Sequence, residues 1–242
     1  MFQTNIFNTI PKQNTDNKMK IGIIGGTGGM GEGFALRWCK KHDIVIGSRD
    51  KNRASDVANN YTKTARDYYG ESMKGSITGD NNFDLAQDCD VLFLSIPYES
   101  INETCNRLAG QIKENCIIVC PIVPMTREEK GFTYICFEHG KESAGELVAK
   151  NFKNRSNIVS AFHTISEVKL KKIDHGLDAD TFVCGDDENT IKVINELIAE
   201  ITGLRSIYLG PLTLSYQAEV LTPMLLNSAK RNKMKHPAIK LV

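Results

Sequence analysis

The residues best placed to do chemistry stand near the start of the chain, in Lys20-Ile-Gly-Ile-Ile-Gly-Gly-Thr-Gly-Gly-Met-Gly-Glu-Gly33. A short apolar run enters a glycine-rich turn, and the turn opens a helical pattern. Gly26, Gly28 and Gly31 satisfy G-x-G-x-x-G. In that fingerprint the first glycine permits a tight turn, the second lets backbone N–H groups approach a pyrophosphate, and the third lets the helix pack close to the strand. The helix start adds unpaired donors and partial positive charge. A flexible loop could carry the same glycines, but strand, turn and helix in register favour a dinucleotide site.

The end of the second strand decides which dinucleotide. NAD sites place an acidic residue there, about 20 residues beyond the glycines, to hold the ribose 2′-hydroxyl. This chain offers Ser48-Arg49, with Arg53 one helical turn later. A hydroxyl and two guanidinium groups are donor-rich and suit a 2′-phosphate, so NADP is expected over NAD, although Asp50 dilutes the positive charge. Farther on, Ile96-Pro97 and Pro121-Ile-Val-Pro124 each follow an apolar strand. Both should line the carboxyl edge of a sheet, where an apolar wall would hold a flat ring and exclude water. His163, just past another strand, is either a ring contact with acid/base capacity or a hydrogen-bonded structural group. His42, His139, His175 and His236 have no partners that spacing identifies. Asp186-Asp187-Glu188 reads as a helix N-terminus rather than a metal site.

Elements that would position these residues alternate along the chain. Strands are expected at Lys20–Ile24 and at 43–47, 76–78, 90–95, 116–120 and 157–161, with helices at 29–41, 52–69, 82–87, 98–109 and 142–151 between them. A long Pro-punctuated loop is expected over 121–134 and a loose charged stretch over 167–180. Strands at 181–184 and 204–209 and helices at 189–201 and 216–231 finish the chain. Alternation of this kind argues for a doubly wound parallel sheet, a Rossmann-type α/β fold.

Bulk properties narrow the class. The 242 residues are 41% hydrophobic and 24% charged with net charge +1, an ordinary globular composition with no global pull towards nucleic acid or an acidic membrane. No apolar run approaches the roughly 20 residues that span a bilayer. The 7 cysteines are scattered, without C-x-x-C or zinc spacing, and read as reduced thiols of a cytoplasmic protein. Residues 1–18 are polar and rich in Asn, Gln and Thr, and are expected to form a disordered extension.

Several segments, in order, resemble one family. Gly25-Gly-Thr-Gly-Gly-Met-Gly31, Gly47-Ser48-Arg49, Ile96-Pro97, Pro121-Ile-Val-Pro124, Lys130-Gly-Phe-Thr-Tyr134, Ser160-Ala-Phe-His-Thr-Ile165, Val183-Cys-Gly-Asp-Asp187 and Leu221-Thr-Pro223 are similar to the archaeal and bacterial NADPH-dependent reductases of the 5-deazaflavin coenzyme F420. The likeness runs from Lys20 to the C-terminus. It implies reversible hydride transfer between NADP(H) and coenzyme F420, with no dedicated catalytic side chain and no metal. It also implies an NADP-binding Rossmann domain at 19–165 and a small C-terminal α/β domain at 166–242 closing the cleft. Homodimers occur among such relatives, and the apolar face of the helix at 216–231 could serve as the interface.

The cofactor-binding set the resemblance implies is Gly26, Thr27, Gly28, Gly29, Met30 and Gly31 for the pyrophosphate and Ser48, Arg49 and Arg53 for the 2′-phosphate. Ile96, Pro97, Ser100, Val123, His163, Ile165 and Glu167 would line the ring cleft. Departures concentrate there. Relatives commonly carry Lys where Arg53 stands and a further basic residue at Asp50. Tyr98 and Ser100 replace a Trp and a His, Ser166-Glu167 replaces a Pro-Ala pair, and residues 136–141 are extra. Those departures keep two alternatives open, an NADP-dependent reductase of another acceptor (metal, flavin or imine) and a non-enzymatic NADP(H)-binding redox sensor.

Overall fold

The computed structural model describes residues 18–135 and 143–242. Most of the expected N-terminal extension, Cys136, His139, the extra residues to 141 and the expected helix start at 142 lie outside them. The chain runs β1 (Lys20–Ile24), α1 (Gly29–Trp38), β2 (Asp43–Ser48), α2 (Lys51–Tyr69), β3 (Ser76–Asn81), β4 (Val91–Leu94), α3 (Ile101–Leu108) and β5 (Ile117–Cys120). It continues through β6 (Met125–Glu128), β7 (Gly131–Tyr134), α4 (Ala144–Ala149), β8 (Ile158–Ser160) and α5 (Glu167–Lys171). It closes with β9 (Ala179–Gly185), α6 (Glu188–Ala199), β10 (Leu204–Gly210), α7 (Ser215–Glu219) and α8 (Leu221–Asn232).

Eight strands form one sheet in the order β10-β9-β8-β5-β4-β1-β2-β3. From β3 to β8 every neighbouring pair is parallel, with Ile21 opposite Ile44 on one side and Val91 on the other. All their carboxyl ends therefore meet at one edge. Successive side chains of a strand point to opposite faces. Ile21 and Ile23 accordingly pack with Phe34, Trp38 and Ile194 on one face, while Ile24 packs with Ile101, Cys105 and Val148 on the other. A strand buried on both faces must read as a continuous apolar run, which is how β1 and β4 stood out in the sequence.

The strands of 166–242 have no sheet of their own. β9 pairs antiparallel with β8, Ser160 facing Cys184, and β10 pairs parallel with β9, so the sheet crosses residue 165 unbroken. Other differences have local causes. The loop expected over 121–134 holds an antiparallel hairpin, with Met125 opposite Tyr134, whose strands of four residues each are too short to set a clear pattern in the sequence. The expected helix at 82–87 shrinks to a 3₁₀ turn at Leu85–Asp88. The helix expected at 216–231 breaks into α7 and α8 because Pro223 has no N–H to give the Glu219 carbonyl one turn back. No described helix is long and apolar enough to cross a membrane.

Within the stretch read as loose and charged, α5 is fixed on α1. Leu170 packs where a side chain on Gly33 would stand, a Cβ there meeting Leu170 Cγ at 2.6 Å. One turn later the buried Arg37 donates to the carbonyls of Leu170, Lys169, Lys172 and His175 at 2.7, 3.2, 2.9 and 3.0 Å. The stripe Gly29, Gly33, Arg37 is thus the seat of α5. Replacing Arg37 by Ala strands several carbonyls without a donor and should cost about 2–4 kcal/mol of stability in urea titration; a loss near zero would show that water takes over those carbonyls.

Candidate functional site

The glycine turn is shaped by contacts that leave no room for side chains. Gly25 has φ of 70°, and a Cβ on it would lie 2.3 Å from the Ser95 carbonyl oxygen. Gly26 N–H is shared between the Ile23 and Gly47 carbonyls at 3.1 and 3.0 Å. A Cβ on Gly31 would stand 2.2 Å from the Gly26 carbonyl oxygen, so α1 can begin against β1 only with glycine there. Gly28 differs. It is exposed, and its missing side chain faces open space, the Gly25 oxygen at 3.9 Å being the nearest atom among the described residues beyond its chain neighbours. Gly28 is the N-cap of α1 and supplies no side chain to its first N–H groups. Those donors and that space fit a phosphate group.

The turn is held from below by Asn82, which sequence reasoning missed. Its buried side chain accepts a hydrogen bond from Gly25 N–H at 3.0 Å, and its own N–H donates to the Ser48 carbonyl at 2.9 Å. One asparagine therefore ties the ends of β1, β2 and β3. In the sequence it stands at the start of an expected helix, which gives no sign of this role.

At the end of β2, Ser48 is buried and its hydroxyl accepts from Asp50 N–H at 3.2 Å. Asp50 caps α2, its carboxylate accepting from Asn52 N–H at 2.9 Å and Arg53 N–H at 3.3 Å. Both bonds fix its carboxylate at the start of α2. Arg49 and Arg53 are exposed, and neither has an acidic partner among the described residues. Asn81 donates to the Arg49 carbonyl at 3.2 Å and steadies that backbone.

The apolar segments meet the turn at the same edge. Ile96 follows β4, and its Cγ2 lies 3.4 Å from where a Gly25 Cβ would be. Pro97 is exposed; Ser100, half-buried, donates its N–H to the Pro97 carbonyl at 3.0 Å. Val123, half-buried, follows β5, and His163 and Ile165 follow β8. Phe162 adopts φ of 70°, rare for a bulky residue, with its N–H on Thr181 Oγ1 at 2.8 Å. That turn drives the Phe162 ring into the stack of Phe34, Trp38 and Phe93, and the chain then presents His163 to Ser160. His163 Nε2 is 3.1 Å from Ser160 Oγ, and its Nδ1 has no well-formed partner among the described residues. Burial, opposed only in part by the Cys120 carbonyl, pushes its pKa down to about 4. Burial thus favours the neutral form of the ring. Glu167, at the start of α5, sets its carboxylate against Gly29, Oε2 standing 2.6 Å from where a Cβ would be.

The hairpin β6–β7 is latched over this edge by α7 and α8. Asn227 pairs both ways with the Phe132 backbone, accepting at 2.8 Å and donating at 2.7 Å, and Arg231 donates to the Lys130 carbonyl at 2.7 Å. Buried Glu219 accepts from Tyr134 Oη at 2.8 Å and from Ala144 and Gly145 N–H at 3.1 and 3.3 Å. Desolvation outweighs those bonds and lifts its pKa to about 7. The six described cysteines are buried, with thiols pushed up by desolvation, which makes them unreactive.

Residues 20–121 match the family model described as NADP oxidoreductase, coenzyme F420-dependent. The chain is 34% identical to the F420-dependent NADP reductase of Methanocaldococcus jannaschii over 92% of its length and 98% of that protein. It is 30% identical to the enzyme of the same name from Methanothermobacter thermautotrophicus, over 92% and 94%. A solved structure from Arthrobacter sp. FB24, assigned to the same reductases, shares the fold with a TM-score of 0.72 at 19% identity, covering 93% of this chain and 99% of its own.

A group whose folded pKa is raised above its free value stabilises fully below the free value and loses that contribution as pH rises through the folded one. Glu219, free value 4.5 and folded value about 7, should therefore make the protein lose thermal stability as pH rises from about 4.5 to about 7. Glu219→Gln should flatten the Tm–pH profile across that window; an unchanged slope would show that Glu219 does not control it.

Proposed function

The chain belongs to the family of coenzyme F420-dependent NADP oxidoreductases, and from that premise we propose how its own residues divide the work. It is an oxidoreductase that transfers a hydride between NADP(H) and coenzyme F420. The nicotinamide C4 and the deazaflavin C5 exchange the hydride, so the chemistry resides in the two coenzymes. Residues of the protein bind, orient and exclude water.

The observation that carries this reading is the convergence, at one sheet edge, of a donor-rich open turn with apolar segments from three other strand ends. Backbone N–H groups of Thr27 to Met30 hold the pyrophosphate, with Gly26 and Gly31 fixing the turn. Ser48, Arg49 and Arg53 hold the ribose 2′-phosphate, supported by their freedom from acidic partners. Ile96, Pro97 and Val123 wall the ring cleft, with Ser100 at its margin. His163 and Ile165 close it as neutral contacts, supported by the low pKa of His163. Segment 166–242 acts as the closing unit, and the hairpin latched by Asn227 belongs to that closure. The protein works in the cytoplasm, in keeping with its unreactive thiols, and as a homodimer. Exposed Val220 and Met224, on and beside α8, give that pairing an apolar face.

The test follows loss of deazaflavin absorbance when protein, NADPH and oxidised F420 are mixed. Wild type should turn over with NADPH far better than with NADH. Arg49→Ala should raise the NADPH KM roughly 10- to 100-fold while NADH kinetics barely move, as expected for one charge-assisted contact. No turnover despite NADPH binding would overturn the acceptor; equal damage with both dinucleotides would overturn the role of Arg49.

A further inference from the structure

We propose that Glu167 is a resident negative charge at the phosphate-binding turn, which lowers affinity for the whole dinucleotide and speeds its release. The inference rests on reading the glycine turn as the pyrophosphate site. It begins with the backbone of α5, which is not free to drift. Leu170 fills the notch at Gly33, Arg37 binds four carbonyls at the far end, and Ser166 Oγ accepts from Lys169 N–H at 3.5 Å. The Cα of Glu167 is thereby held one turn above Leu170, over Gly29.

Its carboxylate lies against Gly29 along both oxygens. Oε2, Cδ and Oε1 stand 2.6, 2.9 and 3.3 Å from the position a Cβ on Gly29 would take. Gly29 is the first residue of α1, adjoining the exposed Gly28. A carboxylate there enjoys the same helix-start field that an incoming phosphate would use. No cation among the described residues neutralises it, since Lys171, one turn on, pairs with Glu32 at 3.6 Å instead. Glu167 is also exposed, so the repulsion is screened by solvent and is modest rather than prohibitive.

Consequences differ along the ligand. Arg49 and Arg53 attract the 2′-phosphate end, whereas Glu167 opposes the pyrophosphate end. A carrier that must leave after each hydride transfer gains from such opposition, because uniform weakening of binding raises KM and the release rate together. As a plain helix-starting glutamate, the bland reading of its position, Glu167 would alter α5 stability but not nucleotide affinity.

Calorimetric titration with NADP and with adenosine 2′-monophosphate, which carries the 2′-phosphate but no pyrophosphate, separates these readings. Glu167→Gln and Glu167→Ala should each tighten NADP binding about three- to tenfold. Neither should change adenosine 2′-monophosphate binding, and the gain with NADP should vanish in 1 M NaCl, where the screening length is about 3 Å. Unchanged or weaker NADP binding in the Gln variant overturns the inference, as does a gain that persists in high salt or extends equally to adenosine 2′-monophosphate. Failure of wild type to bind NADP at all would instead overturn the underlying reading of the turn.

Discussion

Everything at this site depends on a contact that only glycine permits, the start of α1 pressed against the end of β1. Any Cβ on Gly31 would fall 2.2 Å from the Gly26 carbonyl oxygen, well inside van der Waals contact. With the helix so close, its first N–H groups emerge beside the ends of β1 and β4, at the crevice where the sheet order reverses. The rest of α1 secures that position. Phe34 and Trp38 stack at 4.7 Å, Trp38 Nε1 donates to the Leu197 carbonyl at 2.9 Å, and α5 clamps the opposite flank through Gly33 and Arg37.

Around that anchor the charges are sorted by what engages them. Asp50 caps the start of α2, and the Arg49 guanidinium has no ion-pair partner among the described residues. His163 is stripped of charge by burial, and Glu219 is buried in the latch of the hairpin, away from solvent. The hydride passes between carbon atoms of the two coenzymes, and the accompanying proton is taken up at ring nitrogen, so no acid is required at the reacting carbons.

Much of this was readable from residue types. β1 and β4 read as apolar runs because they are covered on both faces, and the glycines at 25, 26 and 31 follow from contacts too close for any side chain. The expectation at Ser48 and Arg49 rests on residue type alone, since donors and acceptors differ in kind. What escaped notice depended on partners distant in sequence. Asn82 is an ordinary polar residue until its contact with Gly25 N–H is seen, and Glu219 gains its meaning only from Tyr134 and α4. The hairpin 125–134 has strands of only four residues, the first of them polar and mostly exposed, which is too little to mark a strand pair in the sequence. The antiparallel turn of β9 onto β8, which carries the sheet past residue 165, has no local signature at all.

The central claim is that the cleft passes a hydride directly from one ring to the other, with water excluded and no protein group taking part in the bond exchange. The most direct measurement uses NADPH carrying deuterium at the transferred position of C4, in ordinary water, with analysis of C5 of the reduced coenzyme F420. Direct transfer predicts that the deuterium is retained in full at C5. Hydrogen from solvent at C5 would contradict the account.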